Sequence, residues 1–149
     1  MQIRPFQPDD LNTIMQIERT LFGPEFAQCR MSFRQNYDLY GNLFQVVQCG
    51  DHVVGYMLVG LSPNGTDSWI FHIAVAPDYQ QQGLGVALLK NGFQVAFSKG
   101  ASNMWLTVDP ANQIAVDLYQ RMGFEIITRE ENYFRLGLKR LKMRKRLLA

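Results

Sequence analysis

The stretch Ser68-Trp-Ile-Phe-His-Ile-Ala-Val75-Ala-Pro-Asp-Tyr-Gln80-Gln-Gln-Gly83-Leu-Gly85-Val-Ala-Leu-Leu89 decides the fold. Residues Ser68 to Val75 are apolar on both alternating faces, the pattern of a buried central strand, and helical spacing takes over from Leu84 to Ser98. The loop between them carries glycines at 83 and 85. A strand that enters a helix through such a loop points successive backbone N–H groups at one spot, where the helix dipole also favours negative charge. Without Cβ atoms at Gly83 and Gly85, phosphate oxygens can approach the main chain closely. The Gly-Lys-Ser/Thr ending of a Walker loop and the first glycine of the dinucleotide fingerprint are both missing, which argues against those nucleotide classes. Taken alone, the two glycines also suit a tight strand-to-helix turn.

Outward from this stretch, short β-like and longer helical segments alternate. Upstream, Ile3 to Phe6 reads as a strand, and Pro8-Asp9-Asp10 offers N-cap chemistry to a helix with apolar positions Leu11, Ile14, Met15, Ile17 and Leu21. Phe22-Gly23-Pro24 interrupts it, and a second helix is expected from near Glu25 to just before Gly41-Asn42. Leu43 to Cys49 and His52 to Leu61 flank Gly50-Asp51 as a hairpin, and Ser62 to Thr66 forms a further turn. Downstream, the pattern predicts a strand over Met104 to Val108, a helix over Ile114 to Met122, and strands over Phe124 to Thr128 and Tyr133 to Met143. This order implies a mixed α/β sheet with helices on both faces.

About 25 residues beyond the glycine loop comes Leu106-Thr-Val-Asp-Pro-Ala-Asn112-Gln-Ile-Ala115-Val-Asp-Leu118-Tyr119-Gln-Arg-Met-Gly123-Phe124. Gln80-x-x-Gly83-x-Gly85 resembles the coenzyme A pyrophosphate loop of the GNAT superfamily of N-acetyltransferases, and Asn112-x-x-Ala115-x-x-x-Tyr119-x-x-x-Gly123-Phe124 resembles that superfamily's next motif. Within it the chain is most similar to the bacterial ribosomal-protein N-terminal alanine acetyltransferases, through Ile73 to Tyr79, Trp105-Leu106 and Asn132-Tyr133-Phe134. The resemblance implies one domain over residues 1–149, built on a mostly antiparallel sheet of six to seven strands.

It also implies acetyl-coenzyme A as acyl donor and a primary amine as acceptor. Gln80, Gln81, Gln82, Gly83, Leu84, Gly85 and Val86 would hold the pyrophosphate, and main-chain groups of Ile73, Ala74 and Val75 the pantetheine arm. Tyr119 is the expected general acid, since a phenol with a reference pKa near ~10 is protonated at neutral pH yet close in acidity to a departing thiol. As a residue of an amphipathic helix it also suits simple packing with Ala115 and Leu118. Asn112 suits both a helix cap and a bond to the pantetheine amide. Glu18, Phe22, Glu25 and Phe26, at the junction of the first two helices, are expected to line the amine site, the carboxylates attracting a cationic amine. Apolar packing explains the two phenylalanines equally well.

The similar proteins carry a glutamate base where this chain has Thr107. A threonine cannot accept an ammonium proton at neutral pH, which leaves a water chain ending on Asp67, Asp109, His72 or Glu18, or an amine that arrives neutral. His72 between Phe71 and Ile73 also fits a hydrogen-bonded core histidine. Three readings are compatible with these residues: transfer to a protein N-terminus, transfer to a small amine such as a polyamine, amino acid or aminoglycoside, and a non-catalytic acyl-coenzyme A binding module.

Length and composition agree with one folded domain: 149 residues, 47% hydrophobic and 19% charged. The formal charge of +2 is uneven, because seven of the 15 basic residues lie in the last 15 positions, 135–149. The remainder holds eight basic against 13 acidic residues, a formal charge of −5. Such a tail suits the solvent face of a terminal edge strand, or contact with ribosomal RNA. Cys29 and Cys49 match no zinc spacing and read as reduced thiols, His52 and His72 form no metal cluster, and no metal is expected. No apolar run is long enough to span a bilayer and no signal-peptide pattern opens the chain, so a cytoplasmic monomer or homodimer is expected.

Overall fold

The computed structural model describes residues 1–148. Seven strands, β1 (Gln2–Pro5), β2 (Phe44–Cys49), β3 (His52–Leu61), β4 (Asp67–Val75), β5 (Asn103–Val108), β6 (Glu125–Glu130) and β7 (Arg140–Arg146), form one sheet in the order β1-β2-β3-β4-β5-β7-β6. Only β4 and β5 run parallel. The expected mixed, mostly antiparallel sheet is therefore observed. Helices α1 (Leu11–Phe26) and α2 (Arg30–Tyr40) cover one face, and α3 (Leu84–Ser98) and α4 (Gln113–Arg121) the other.

Two apolar clusters hold the layers together. Under α1 and α2, Ile14, Ile17 and Phe33 pack on Phe6, Phe44, Val46, Tyr56, Leu58 and Ala74. Under α3 and α4, Leu84, Leu88, Leu89, Ala96 and Val116 meet Met57, Val59, Ile70, Met104, Leu106 and Met143. Arg4 of β1 reaches the Asp10 carboxylate with both guanidinium arms, at 2.8 and 2.9 Å, and so fixes the start of α1. Gly55 lets β3 and β4 close up: a Cβ there would stand 2.8 Å from the Ala74 carbonyl oxygen and 2.9 Å from a Val47 methyl. Gly55→Ala is accordingly expected to destabilise the protein by about 1–3 kcal/mol, read as a lower denaturation midpoint. An unchanged midpoint would mean that the strands can part at no cost.

Three expectations are corrected. The second helix begins at Arg30, not near Glu25. Gly23, at non-helical φ 69° and ψ 179°, does interrupt α1 as expected, but the turn after it ends at Phe26, and residues 27–29 are non-helical where the Gln28 amide is drawn to the Glu18 carboxylate at 2.9 Å. The last strand is Arg140–Arg146 in place of Tyr133 to Met143. Residues 131–139 loop instead, with Gly137 at φ 78° and its amide held 2.8 Å from the Asn132 side-chain oxygen. Nor is the basic segment an edge strand, since β7 lies between β5 and β6.

Burial of β4 also differs from the sequence pattern. Trp69 is half-buried and Phe71 is 44% exposed, because α1 and α2 leave the lower half of that face uncovered. A β-bulge accompanies the change: Val59 pairs with Ile70 and Leu58 with His72, so Phe71 has no partner on β3.

Candidate active site

Beyond Trp69 and Trp105 the sheet opens. β4 and β5 pair only from Asp67–Asn103 to Trp69–Trp105, so the β5-facing edge of Ile70 to Val75 and the β4-facing edge of Leu106 to Val108 lack a strand partner. Because the two strands are parallel, their C-terminal ends lie at the same end of the sheet, and α3 and α4 both start from that end. The opening connects the α3/α4 face with the α1/α2 face.

At the mouth of the opening the chain passes through a single 3₁₀ turn, Pro77–Tyr79, and then through Gln81 at φ 62° and Gly83 at φ 81° before α3 begins. The amides of residues 81–86 donate no main-chain hydrogen bond, the first one at this end being that of Ala87 to the Gly83 carbonyl. They form the donor-rich helix start expected of an anion seat. Gly83 needs its glycine for the left-handed φ. Gly85 does not: its φ is ordinary and a Cβ there would meet nothing within 4 Å. The space over Gly85 is therefore open beside unpaired donors, which fits the pyrophosphate of coenzyme A.

The neighbouring residues have divided tasks. Leu84 is buried in the core and offers the seat only its amide. Ile73 and Ala74 point into the two opposite apolar clusters, leaving their main chain for a ligand. The Val75 carbonyl already accepts from the Gln80 side chain at 2.9 Å, and Gln82 reaches back to the Asp78 carbonyl at 3.4 Å. Asn112 caps α4, its side-chain oxygen accepting from the Ala115 amide at 3.2 Å, so its amide nitrogen is left for a ligand.

Tyr119 lies on the sheet-facing side of α4, edge-on to Phe124 at 5.7 Å. Its hydroxyl makes no hydrogen bond among the described residues. Burial alone pushes its phenol up to about 12, because the phenolate would be poorly solvated there.

The α1/α2 face carries a cluster that the sequence only hinted at. Glu18 is fully buried and its carboxylate accepts from the Tyr56 hydroxyl and from the Gln28 amide at 2.9 Å, with His72 Nδ1 standing 3.2 Å away. This corrects the expectation that Glu18 touches a cationic amine: it faces His72 and Tyr56 instead. Burial, then the neighbouring carboxylate, pushes the Tyr56 phenol far up, so it stays a donor. His72 keeps 19% of its side chain exposed and packs edge-on against Phe22 at 5.6 Å. Nδ1 lies beside the carboxylate, which leaves Nε2 as the ring nitrogen turned away from it. Tyr56 and Gln28 were not anticipated from the sequence. The available signal was Glu18 itself, one turn beyond Ile14 on the apolar face of α1.

Glu25 and Phe26 turn to the opposite wall. Glu25 pairs with Arg135 at 2.9 Å, Phe26 stands 6.2 Å from Phe134, and the Arg140 guanidinium lies 5.7 Å over the Phe26 ring. The end of α1 is thus joined to the loop between β6 and β7. Asp67 and Asp109 are committed elsewhere, Asp67 to Trp105 Nε1 at 2.9 Å and Asp109 to the Ala111 amide at 2.9 Å. Among the groups considered as proton acceptors, the His72–Glu18 pair is the one placed beside Phe22, which was expected to line the amine site.

Comparison with known proteins agrees with this arrangement. Over 68 residues the chain is 41% identical to the ribosomal protein bS18-alanine N-acetyltransferase of Escherichia coli (strain K12), covering 46% of each sequence. The chain thus spans about half the length of the curated relatives it matches. The crystal structure of the ribosomal-protein-S18-alanine N-acetyltransferase from Escherichia coli superposes with a TM-score of 0.84 at 25% identity, over 99% of this chain and 94% of that one. Ard1 from Thermoplasma volcanium shares the fold at a TM-score of 0.91 and 22% identity, over 99% and 98% of the two chains. Residues 11–124 match one family throughout, from α1 through the glycine cradle to the end of the Tyr119 motif, and the chain belongs to that family, the acetyltransferase (GNAT) family.

Proposed function

We propose that this protein transfers the acetyl group of acetyl-coenzyme A to a primary amine at a protein N-terminus. The observation that carries the reading is the opening between β4 and β5, with an anion cradle at one mouth and the His72–Glu18 pair on the other face. The similarity to an alanine N-acetyltransferase supports an N-terminal amine as acceptor.

Bound acetyl-coenzyme A supplies the thioester. The amides of residues 81–86 hold its pyrophosphate, and the free edge of β4 over Ile73 to Val75 pairs with the pantetheine arm. His72 Nε2 takes a proton from the acceptor ammonium, while Glu18 fixes the ring and stabilises the imidazolium. The neutral amine nitrogen forms a bond to the acyl carbon, the carbon–sulfur bond breaks as Tyr119 gives its phenolic proton to the departing sulfur, and the surplus proton on the new amide nitrogen passes through solvent to restore the phenol. Phe22 walls the amine site beside His72.

Gly85→Ala separates fold from function. The helix should gain about 0.5–1 kcal/mol from losing a glycine, while the added methyl group fills the open space and weakens coenzyme A binding by about 10-fold. Calorimetry with coenzyme A checks both; unchanged affinity would remove Gly85 from the cradle. The reaction itself is tested by thiol release from acetyl-coenzyme A against N-terminal peptides, polyamines and aminoglycosides. Release with peptides, and mass spectra placing the acetyl group on the α-amine, are expected. Release only with small amines would reassign the acceptor.

A further inference from the structure

The α1/α2 face beyond the amine site has an arrangement that the transfer chemistry does not need. Trp69 and Trp105, neighbours across β4 and β5, stack with centroids 6.4 Å apart at 13°, and the Lys142 ammonium lies 5.9 and 5.8 Å from the two rings. Lys142 stands opposite Thr107 on β5 and Thr128 on β6. Its flanking cations on β7 also rest on ring faces and form no ion pair among the described residues: Arg140 lies 5.7 Å over Phe26, and Arg144, two residues along β7 from Lys142, lies 5.6 Å over Trp105. Asp67, the nearby acid on β4, accepts from Trp105 Nε1 at 2.9 Å and Asn103 at 3.2 Å. Lys142 forms no ion pair among the described residues.

Lys142 is therefore a cation framed by two ring faces, without an ion-pair partner among the described residues, opposite Thr107 on the free end of β5. Resting on the acetyl-transfer reading, we propose that Lys142, framed by Trp69 and Trp105, recognises a carboxylate on the acceptor and selects N-termini with an acidic side chain at the second or third residue. The spacing sets the position of that side chain. Across the bulge at Phe71, His72 stands two paired positions beyond Trp69 on β4, opposite Leu58 where Trp69 is opposite Gly60, about 7 Å along the strand at ~3.3 Å per residue. An extended acceptor with its amine at His72 covers that span with a side chain two or three residues in. A free amino acid, with amine and carboxylate on one carbon, does not.

The test uses the full chain and matched N-terminal peptides bearing Asp or Glu, Asn or Gln, or Lys at positions 2 and 3. The readout is the ratio of kcat/KM between peptides within each variant, which cancels any general loss of activity. Wild type is expected to favour acidic over amide peptides by about 5-fold, with the preference shrinking as salt is raised. Lys142→Met, which keeps the apolar stem on the indoles, should abolish the ratio, and Lys142→Glu should invert it towards lysine-bearing peptides. Acetylation of all peptides without charge preference, or a preference that survives both substitutions, overturns the inference and leaves acetyl transfer standing. Absence of acetylation for every peptide rejects acetyl transfer to N-termini and the inference with it.

Discussion

Replacing Tyr119 with phenylalanine is expected to lower kcat by about 10²-fold or more, the usual contribution of a positioned general acid, with coenzyme A affinity changed less than about twofold. The hydroxyl makes no hydrogen bond within the described chain, so its removal costs the fold little. Burial pushes the phenol up to about 12, which keeps the proton in place through neutral and moderately alkaline pH. The sign has a consequence for stability. In the unfolded chain the phenol ionises near ~10, so the unfolded state releases its proton first. Wild type should then lose stability as pH rises from ~10 towards 12, a loss that Tyr119→Phe avoids. Full turnover in the phenylalanine variant would return Tyr119 to a packing role.

His72→Ala is expected to reduce kcat/KM for an N-terminal peptide by about 10²-fold at neutral pH. The defect should shrink as pH rises past the α-amine's own pKa near ~8, where the acceptor arrives neutral and needs no base. A merely structural role would leave a deficit that pH does not relieve. Glu18→Ala should be costlier to the fold, by about 3 kcal/mol, because the Tyr56 hydroxyl and the Gln28 amide lose their buried acceptor. Glu18→Gln keeps the volume and one acceptor, and separates the charge from the packing.

Local chemistry made much of this legible. Gly83 and Gly85, the Asn112 cap and the helical spacing around Tyr119 are short-range patterns, and they mark the proposed cofactor side of the site. Long-range consequences were less visible. That Glu18 binds Tyr56, 38 positions away, depends on how α1 lies across β3, which no local period encodes. The placement of β7 inside the sheet depends on β6 returning outside it, so the basic residues came to flank β5 and its Trp105 instead of forming an edge. The late start of α2 follows from the Gln28–Glu18 bond, itself a product of that burial.

The central claim is that donor and acceptor meet through the opening between β4 and β5. A conjugate joining a peptide α-amine to the coenzyme A sulfur through an acetyl bridge tests it most directly, by its affinity against that of coenzyme A alone. Simultaneous use of both faces predicts binding tighter by about 10²-fold or more, with most of the gain lost in a His72→Trp variant that crowds the acceptor side. A conjugate that binds no more tightly than coenzyme A would contradict the account.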